Sequence, residues 1–243
     1  MTFKILLNAA ALAGALSIAS VTAHAGSLGI QYFDIPNATA GGDFNVCCSS
    51  PPATLESITL GSGLGSFGMP ITTTTGAGAV VDQAADGEIT WWSPALNPQV
   101  TATGTGSFAL GALTNMYGPN NTGSNDSSLF ETAILTGTLT GNGSDAKVTV
   151  TSDDDALVYV DGKYVGGNPG VHGNVTTIID LGDLTGSNSL EIFYADRSPT
   201  GADLSVGVTG AAVPEPATWA LMLFGVAGLG AAMRHRRRVP AAA

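Results

Sequence analysis

The run Ser152-Asp153-Asp154-Asp155-Ala156-Leu157-Val158-Tyr159-Val160-Asp161-Gly162 gathers three adjacent carboxylates in front of a strand-like segment that closes on an Asp-Gly turn. Like charges in a row repel, and a divalent cation that prefers oxygen ligands is the simplest agent that makes such a cluster favourable, which points to calcium. Leu157 and Tyr159 alternate with Val158 and Val160, as expected of a strand buried on both faces. Carboxylates enter such a core only when compensated, so Asp153 to Asp155 are expected at its mouth. A plainer reading fits the same residues: an acidic turn that caps a strand and binds nothing.

Other chemistries find little support. The chain has no Gly-x-Ser-x-Gly elbow and no His-Glu-x-x-His, and His172 is the single histidine between the two ends of the sequence, so no enzyme is expected. A carboxylate-pair glycosidase ranks behind the binding and structural readings. Gly63-Leu64-Gly65-Ser66-Phe67-Gly68 has dinucleotide-fingerprint spacing, but no helical pattern follows it, which makes it a flexible loop. Cys47 and Cys48 are adjacent, with Cα atoms about 3.8 Å apart, short of the ~4.4 Å at which unstrained disulfides begin. Free thiols, a vicinal ring and an intermolecular bridge all stay open. Asp196-Arg197 is expected to form a salt bridge to a neighbouring loop, and His172 a loop-ordering hydrogen bond. Trp91 and Trp92 point opposite ways on a strand, so at most one need lie in the core; packing under a loop is the preferred role for the other, ahead of a platform for sugars.

The elements that carry these residues lie between two targeting ends. Met1 to Ala25 has Lys4, an apolar run and Ala23-His24-Ala25, the pattern of a secretory signal peptide cleaved after Ala25. Ala217 to Met233 is an uncharged run of transmembrane length, followed by Arg234-His235-Arg236-Arg237-Arg238, which stays cytoplasmic by the positive-inside rule. Between the ends, residues 26–213 hold 18 Asp and Glu against Lys147, Lys163 and Arg197, a formal charge of −15. That balance argues strongly against nucleic acid as a partner.

Val213-Pro214-Glu215-Pro216, the apolar span and the arginine block resemble the PEP-CTERM sorting signal of Gram-negative bacteria. The resemblance implies recognition by an exosortase-type enzyme and removal of the tail. It also implies an inner-membrane anchor facing the periplasm before processing, then delivery to the cell surface or extracellular matrix.

From Gly26 onward, short β-prone runs alternate with Gly, Pro, Asn and Ser, and an all-β sandwich is expected. Candidate strands are 28–35, 57–60, 79–82, 88–92, 100–110, 128–138, 146–151, 156–160, 176–181, 189–194 and 204–208. Residues 117–127 read as a long loop within one domain. The expected organisation is a signal peptide over 1–25, an N-terminal β-rich part of the same sandwich over 26–127, a third segment over 128–210, and the sorting and anchor segment over 211–238.

The carboxylates, the Asp161-Gly162 turn, Gly170-Val171-His172-Gly173 and Phe193-Tyr194-Ala195-Asp196-Arg197 together resemble the fibro-slime domain of the wider PA14-like group, over about Ser128 to Gly210. The family's Glu-Arg is Asp196-Arg197 here. The resemblance implies a PA14-like β-sandwich in which an Asp-Asp pair, often joined by a cis peptide, chelates calcium that in turn holds sugar hydroxyls. By position that pair is Asp153-Asp154, and Asp155 falls where the PA14 pattern has Gly. Asn168 and carbonyls of the 166–173 loop are expected to add ligands. The leading functional expectation is a calcium-assisted module binding extracellular polysaccharide, with a purely structural matrix protein as the alternative.

Overall fold

A computed structural model describes residues 26–36, 43–44, 59–73, 82–118 and 129–213. The cleavage site at Ala25, Cys47-Cys48, most of the 117–127 loop, Pro214 to Pro216 and the apolar span lie outside the described residues. Among the described residues no helix is long and apolar enough to cross a membrane.

The regular elements among the described residues are all strands: β1 (Ser27–Pro36), β2 (Leu60–Leu64), β3 (Pro70–Thr72), β4 (Thr101–Ala109), β5 (Thr114–Asn115), β6 (Leu129–Asp153), β7 (Asp155–Val160), β8 (Lys163–Asn168), β9 (Val175–Ala195), β10 (Asp203–Thr209) and β11 (Ala211–Ala212). The fold is the expected all-β one, but its frame is an unexpected pair of strands. β6 runs for 25 residues and β9 for 21, and they stay antiparallel from Thr132↔Ala195 to Ser152↔Val175. Each was expected as two strands, because Gly137, Gly141, Gly143, Gly182 and Gly186 look like breaks. The ribbon instead absorbs them in register shifts between Asn142 and Asp145 and between Ala146 and Lys147. Bulges and left-handed glycines bend a ladder without ending it.

This bent ribbon belongs to two layers. The first half of β6 pairs with β1, and the second half of β9 continues to β7 and β8, giving the order β3-β2-β8-β7-β9-β6-β1-β4. The second half of β6 pairs with β10, opposite the first half of β9. Leu28, Leu135, Val158, Ile192 and Tyr194 of the first layer meet Val148, Val150, Ile179, Leu204 and Val206 of the second in one buried cluster.

The large layer has a second core on its other face. Leu157, Tyr159 and Phe193 pack there against Phe44, Ile89, Trp91, Trp92 and Val100. Residues 88–92 were expected as a strand, yet Glu88 and Ile89 make only isolated bridges and both tryptophans sit in turns. Both are also buried, at 0% and 1% exposure, which corrects the expectation that one could be a sugar platform. Trp91 Nε1 donates to Asp43 at 3.1 Å and Trp92 Nε1 to the Tyr194 carbonyl at 2.6 Å, so each indole is satisfied inside the cap. With a core on either side, every residue of β7 is buried, as the alternation of Leu157 to Val160 requires.

Gly63 to Gly68 form the end of β2 and a tight turn, with no helix after it. Glu88 Oε1 accepts the Phe67 and Met69 amides at 2.8 and 3.2 Å, so the turn is ordered around a carboxylate.

Candidate functional site

Three segments cross between the layers at one rim of the sandwich. Asp154 alone separates β6 of the small layer from β7 of the large one. Residues 169–174 join β8 to β9, and residues 196–202 join β9 to β10. Antiparallel pairing fixes this convergence: Ala195 lies opposite both Thr132 and Asp155, while Asp203 lies opposite Asp153.

Asp154 ties the three crossings together. Its Oδ1 accepts the His172 amide at 2.8 Å, and its Oδ2 accepts the amides of Arg197 and Ser198, each at 2.8 Å. Asp155 reaches the same two segments: Oδ1 accepts the Gly170 amide, and Oδ2 lies 3.0 Å from Arg197 Nε. That charge contact is not aligned as a hydrogen bond. Both Asp155 and Arg197 are fully buried, and Arg197 also stacks over the Trp91 ring at 5.0 Å.

All three carboxylates were expected at the mouth, but Asp154 and Asp155 are at 0% exposure. Four amides, three to Asp154 and one to Asp155, and an internal guanidinium supply the compensation that burial demands. The expected Asp196-Arg197 bridge is made by Arg197 to Asp155, within β7 rather than to a loop.

Asp153 is the half-buried member. The Asp153–Asp154 peptide bond is cis, and Tyr194 Oη donates to the Asp153 carbonyl at 2.5 Å. The Asp153 carboxyl lies within hydrogen-bonding reach of Asp154 and is pushed up to about 6 by partial burial and by the charges of Asp154 and Asp203, against a lowering by His172. Gly201 has φ +87, and a Cβ there would stand 2.4 Å from Asp153 Oδ2, so only glycine leaves room for this carboxylate. Burial likewise raises Asp154, with the three amides pulling it back, and lifts Asp155 to about 6 against the pull of Arg197 and Gly170.

Asn168 ends β8 at 4% exposure. Its amide nitrogen donates to Val175 O at 2.8 Å, Ser152 Oγ at 3.0 Å and Val150 O at 3.4 Å. Its Oδ1 is buried and has no hydrogen-bond partner. Gly167, just before it, would place a Cβ 2.0 Å from the Ala156 carbonyl, so glycine lets β8 lie close enough to β7 to deliver Asn168 there. His172 has the loop-ordering role expected of it, with Nδ1 and Nε2 at 2.9 and 3.3 Å from the carbonyls of Gly173 and Asn168.

The chemistry of this donor set fits a hard cation only in part through carboxylates. Among the described residues no three His, Cys, Asp or Glu side chains converge as a metal site. Asp155 is committed to Arg197, and Asp154 Oδ2 to two amides. The oxygens left are those of Asp153, the remaining lone pair of Asp154 Oδ1 and the orphaned Asn168 Oδ1, so main-chain or solvent oxygens would have to complete a shell of six to eight. Sequence reasoning missed Asp203, Gly201 and the Asp155–Arg197 pair. Strand pairing brings these together from some 40 to 50 residues apart, and no local spacing signals it.

The tail bears a separate signature. Residues 212–238 match the PEP-CTERM protein-sorting motif. Of this motif the described fold contains Ala212, paired with Thr140 in β6, and the buried Val213. No curated protein matches the chain. Among solved structures, a PA14 sugar-binding domain from an RTX adhesin shares 20% identity over 79% of this chain and 94% of its own, with a TM-score of 0.38. The PA14 domain of the antifreeze protein MpAFP shares 15% over 80% and 89%, with a TM-score of 0.34. The epithelial adhesin 9 A domain from Candida glabrata, in complex with Galb1-3GlcNAc, shares 15% over 47% and 67%, with a TM-score of 0.31. Superpositions this loose leave the functional reading to the geometry of the rim and to the tail.

Proposed function

We propose that the chain is an exported, surface-associated carbohydrate-binding protein without enzymatic activity, whose rim takes calcium through Asp153, Asp154 and Asn168. Bound calcium would supply open coordination positions for sugar hydroxyls. The chain's own part is to hold the donor oxygens: three amides fix Asp154, Gly201 leaves space for Asp153, and the Val150–Ser152–Val175 contacts orient Asn168.

One observation carries this reading: a buried amide oxygen with no partner, Asn168 Oδ1, on the same rim as a half-buried carboxylate, Asp153, that the buried Asp154 repels. A buried acceptor left unsatisfied costs about 1–3 kcal/mol, which a cation would relieve. The PEP-CTERM match adds the route. An exosortase-type enzyme would process the tail, the apolar span would anchor the precursor in the inner membrane, and the mature protein would meet extracellular polysaccharide.

Calorimetric titration of the full-length protein in mild detergent with calcium, then glycan-array binding with and without chelator, tests the reading. Calcium uptake and chelator-sensitive glycan binding are expected, both lost in Asp153→Asn with Asp154→Asn. Unchanged binding in that double variant would sink it.

A second reading, a structural matrix protein with no specific ligand, is favoured by the internal compensation of Asp154 and Asp155, which lets the acidic turn stand without metal. Wild-type protein that takes up no calcium and binds no glycan, with or without chelator, would support it.

A further inference from the structure

Asp155 cannot serve as a cation ligand, yet it is the most deeply committed carboxylate of the rim. Its two oxygens face two different crossings, Gly170 on one side and Arg197 on the other. Those crossings are the ones whose amides clamp Asp154: His172 lies two residues beyond Gly170, and the Arg197 amide belongs to the residue whose guanidinium meets Asp155. Arg197 is fixed in turn from behind, stacked on Trp91, whose indole is held by Asp43. A fully buried, permanently charged guanidinium thus sits where the three crossings meet. It is one of only three basic residues within 26–213.

We propose that Asp155 and Arg197 are positioning residues that assemble the rim without metal. Arg197 acts as a resident cation that draws in Asp155, and Asp155 pins the Gly170–His172 loop so that its amides already hold Asp154 in binding geometry. The inference rests on the calcium reading above and concerns how that site is held ready. Groups held in place by packing and hydrogen bonds bind without the cost of ordering a loop.

Two features set this role apart from simple stability. The pair reaches loop groups besides the Trp91 ring, and no hydrogen bond joins the Asp154 and Asp155 carboxylates, whose shared partners are the backbones of two crossings. Loosening Asp155 therefore frees residues 168–173 while leaving the β6–β9 ribbon intact. Outer partners of metal ligands commonly change affinity 10–100-fold when removed.

The test is amide hydrogen exchange of the full-length protein in mild detergent, with chelator and with calcium, read on peptides covering 168–173, 195–198 and, as a control for folding, 146–151. In the wild type all three are expected to be protected with chelator present, with little further change on adding calcium. Asp155→Asn is expected to speed exchange over 168–173 in chelator at least tenfold more than over 146–151, whose change reports the general loss of stability, and to weaken calcium binding about tenfold. Wild-type amides over 168–173 that exchange freely in chelator and become protected only with calcium would overturn the inference, whatever the variant does. So would an Asp155→Asn protein with unaltered exchange and calcium affinity. A wild type protected over 168–173 that takes up no calcium overturns the calcium reading instead.

Discussion

Two places in the molecule gather a pair of carboxylates around one basic group, and they behave as opposites. At the rim, Arg197 Nε stands 3.0 Å from Asp155, its main-chain amide serves Asp154, and the Arg197 and Asp155 side chains are at 0% exposure. At the bend of the ribbon, Lys147 Nζ lies 2.7 Å from Asp145 and 3.0 Å from Asp180, with side chains 38–63% exposed. The distances are alike and the surroundings are not. Water screens the Lys147 group, so its charges are nearly as well solvated apart as together. At the rim each charge has given up its hydration, and losing one partner strands the other in the core. Proximity of opposite charges is therefore no measure of their importance; the solvent they have surrendered is.

The largest expected effect follows from stranding a charge. Arg197→Met leaves Asp155 buried and uncompensated and should cost about 3–5 kcal/mol in urea denaturation. A loss below about 1 kcal/mol would erase the contrast between the two clusters. Next comes Asp154→Asn, which keeps the shape but removes the charge that three amides share and that a bound calcium would share; on the proposed reading calcium affinity by calorimetry should fall more than tenfold.

The third effect concerns pH. Asp155 and Asp82 both titrate near 6 in the fold, Asp155 through burial and Asp82 through burial and the charge of Asp43. Since their folded values lie above the ordinary 3.8, the native state binds protons more readily than the unfolded chain. Their contribution to stability is then present below about pH 4 and lost as pH rises through about 6. In chelator, denaturation midpoints should fall across that window, and Asp82→Asn should flatten part of the slope. A midpoint rising steadily from pH 4 to 6 would contradict the assignment. The smallest effect is Lys147→Met, whose denaturation midpoint should match the wild type within repeat error and whose calcium affinity should be unchanged. A clear loss of either would show that the exposed cluster matters after all.

How much of this could be read from the chain depends on the range over which each feature is determined. β7 and its turn are local: Leu157 to Val160 alternate, and Asp161 and Gly162 have the φ values of +49° and +70° that an Asp-Gly hairpin demands. The acidic cluster and the loop-ordering role of His172 were visible for the same reason. The burial of Trp91 and Trp92 was not, because it depends on an irregular segment that covers the outer face of a sheet, and irregular segments leave no periodicity. Glycines within β6 and β9 were misleading for a related reason. They break isolated strands, but in a ribbon whose two long strands stay paired on either side of the bend they only bend it. The Arg197–Asp155 pair joins residues 42 apart in sequence, a distance over which only the finished fold decides contact.

The bent ribbon has one more consequence, and it is mechanical. The chain leaves the described fold at Val213, right after Ala211 and Ala212 pair with Gly141 and Thr140 at the bend of β6. Gly26, where the described fold begins, packs against Val213. Both ends of the sandwich therefore emerge together, while Asp153 lies 13 residues further along β6 from Thr140, about 40 Å of strand contour. If the tail holds the protein at one end and a ligand pulls at the rim, tension runs lengthwise down a strand bonded on both sides. Its hydrogen bonds are then loaded in parallel, as a lap joint is, rather than peeled one after another.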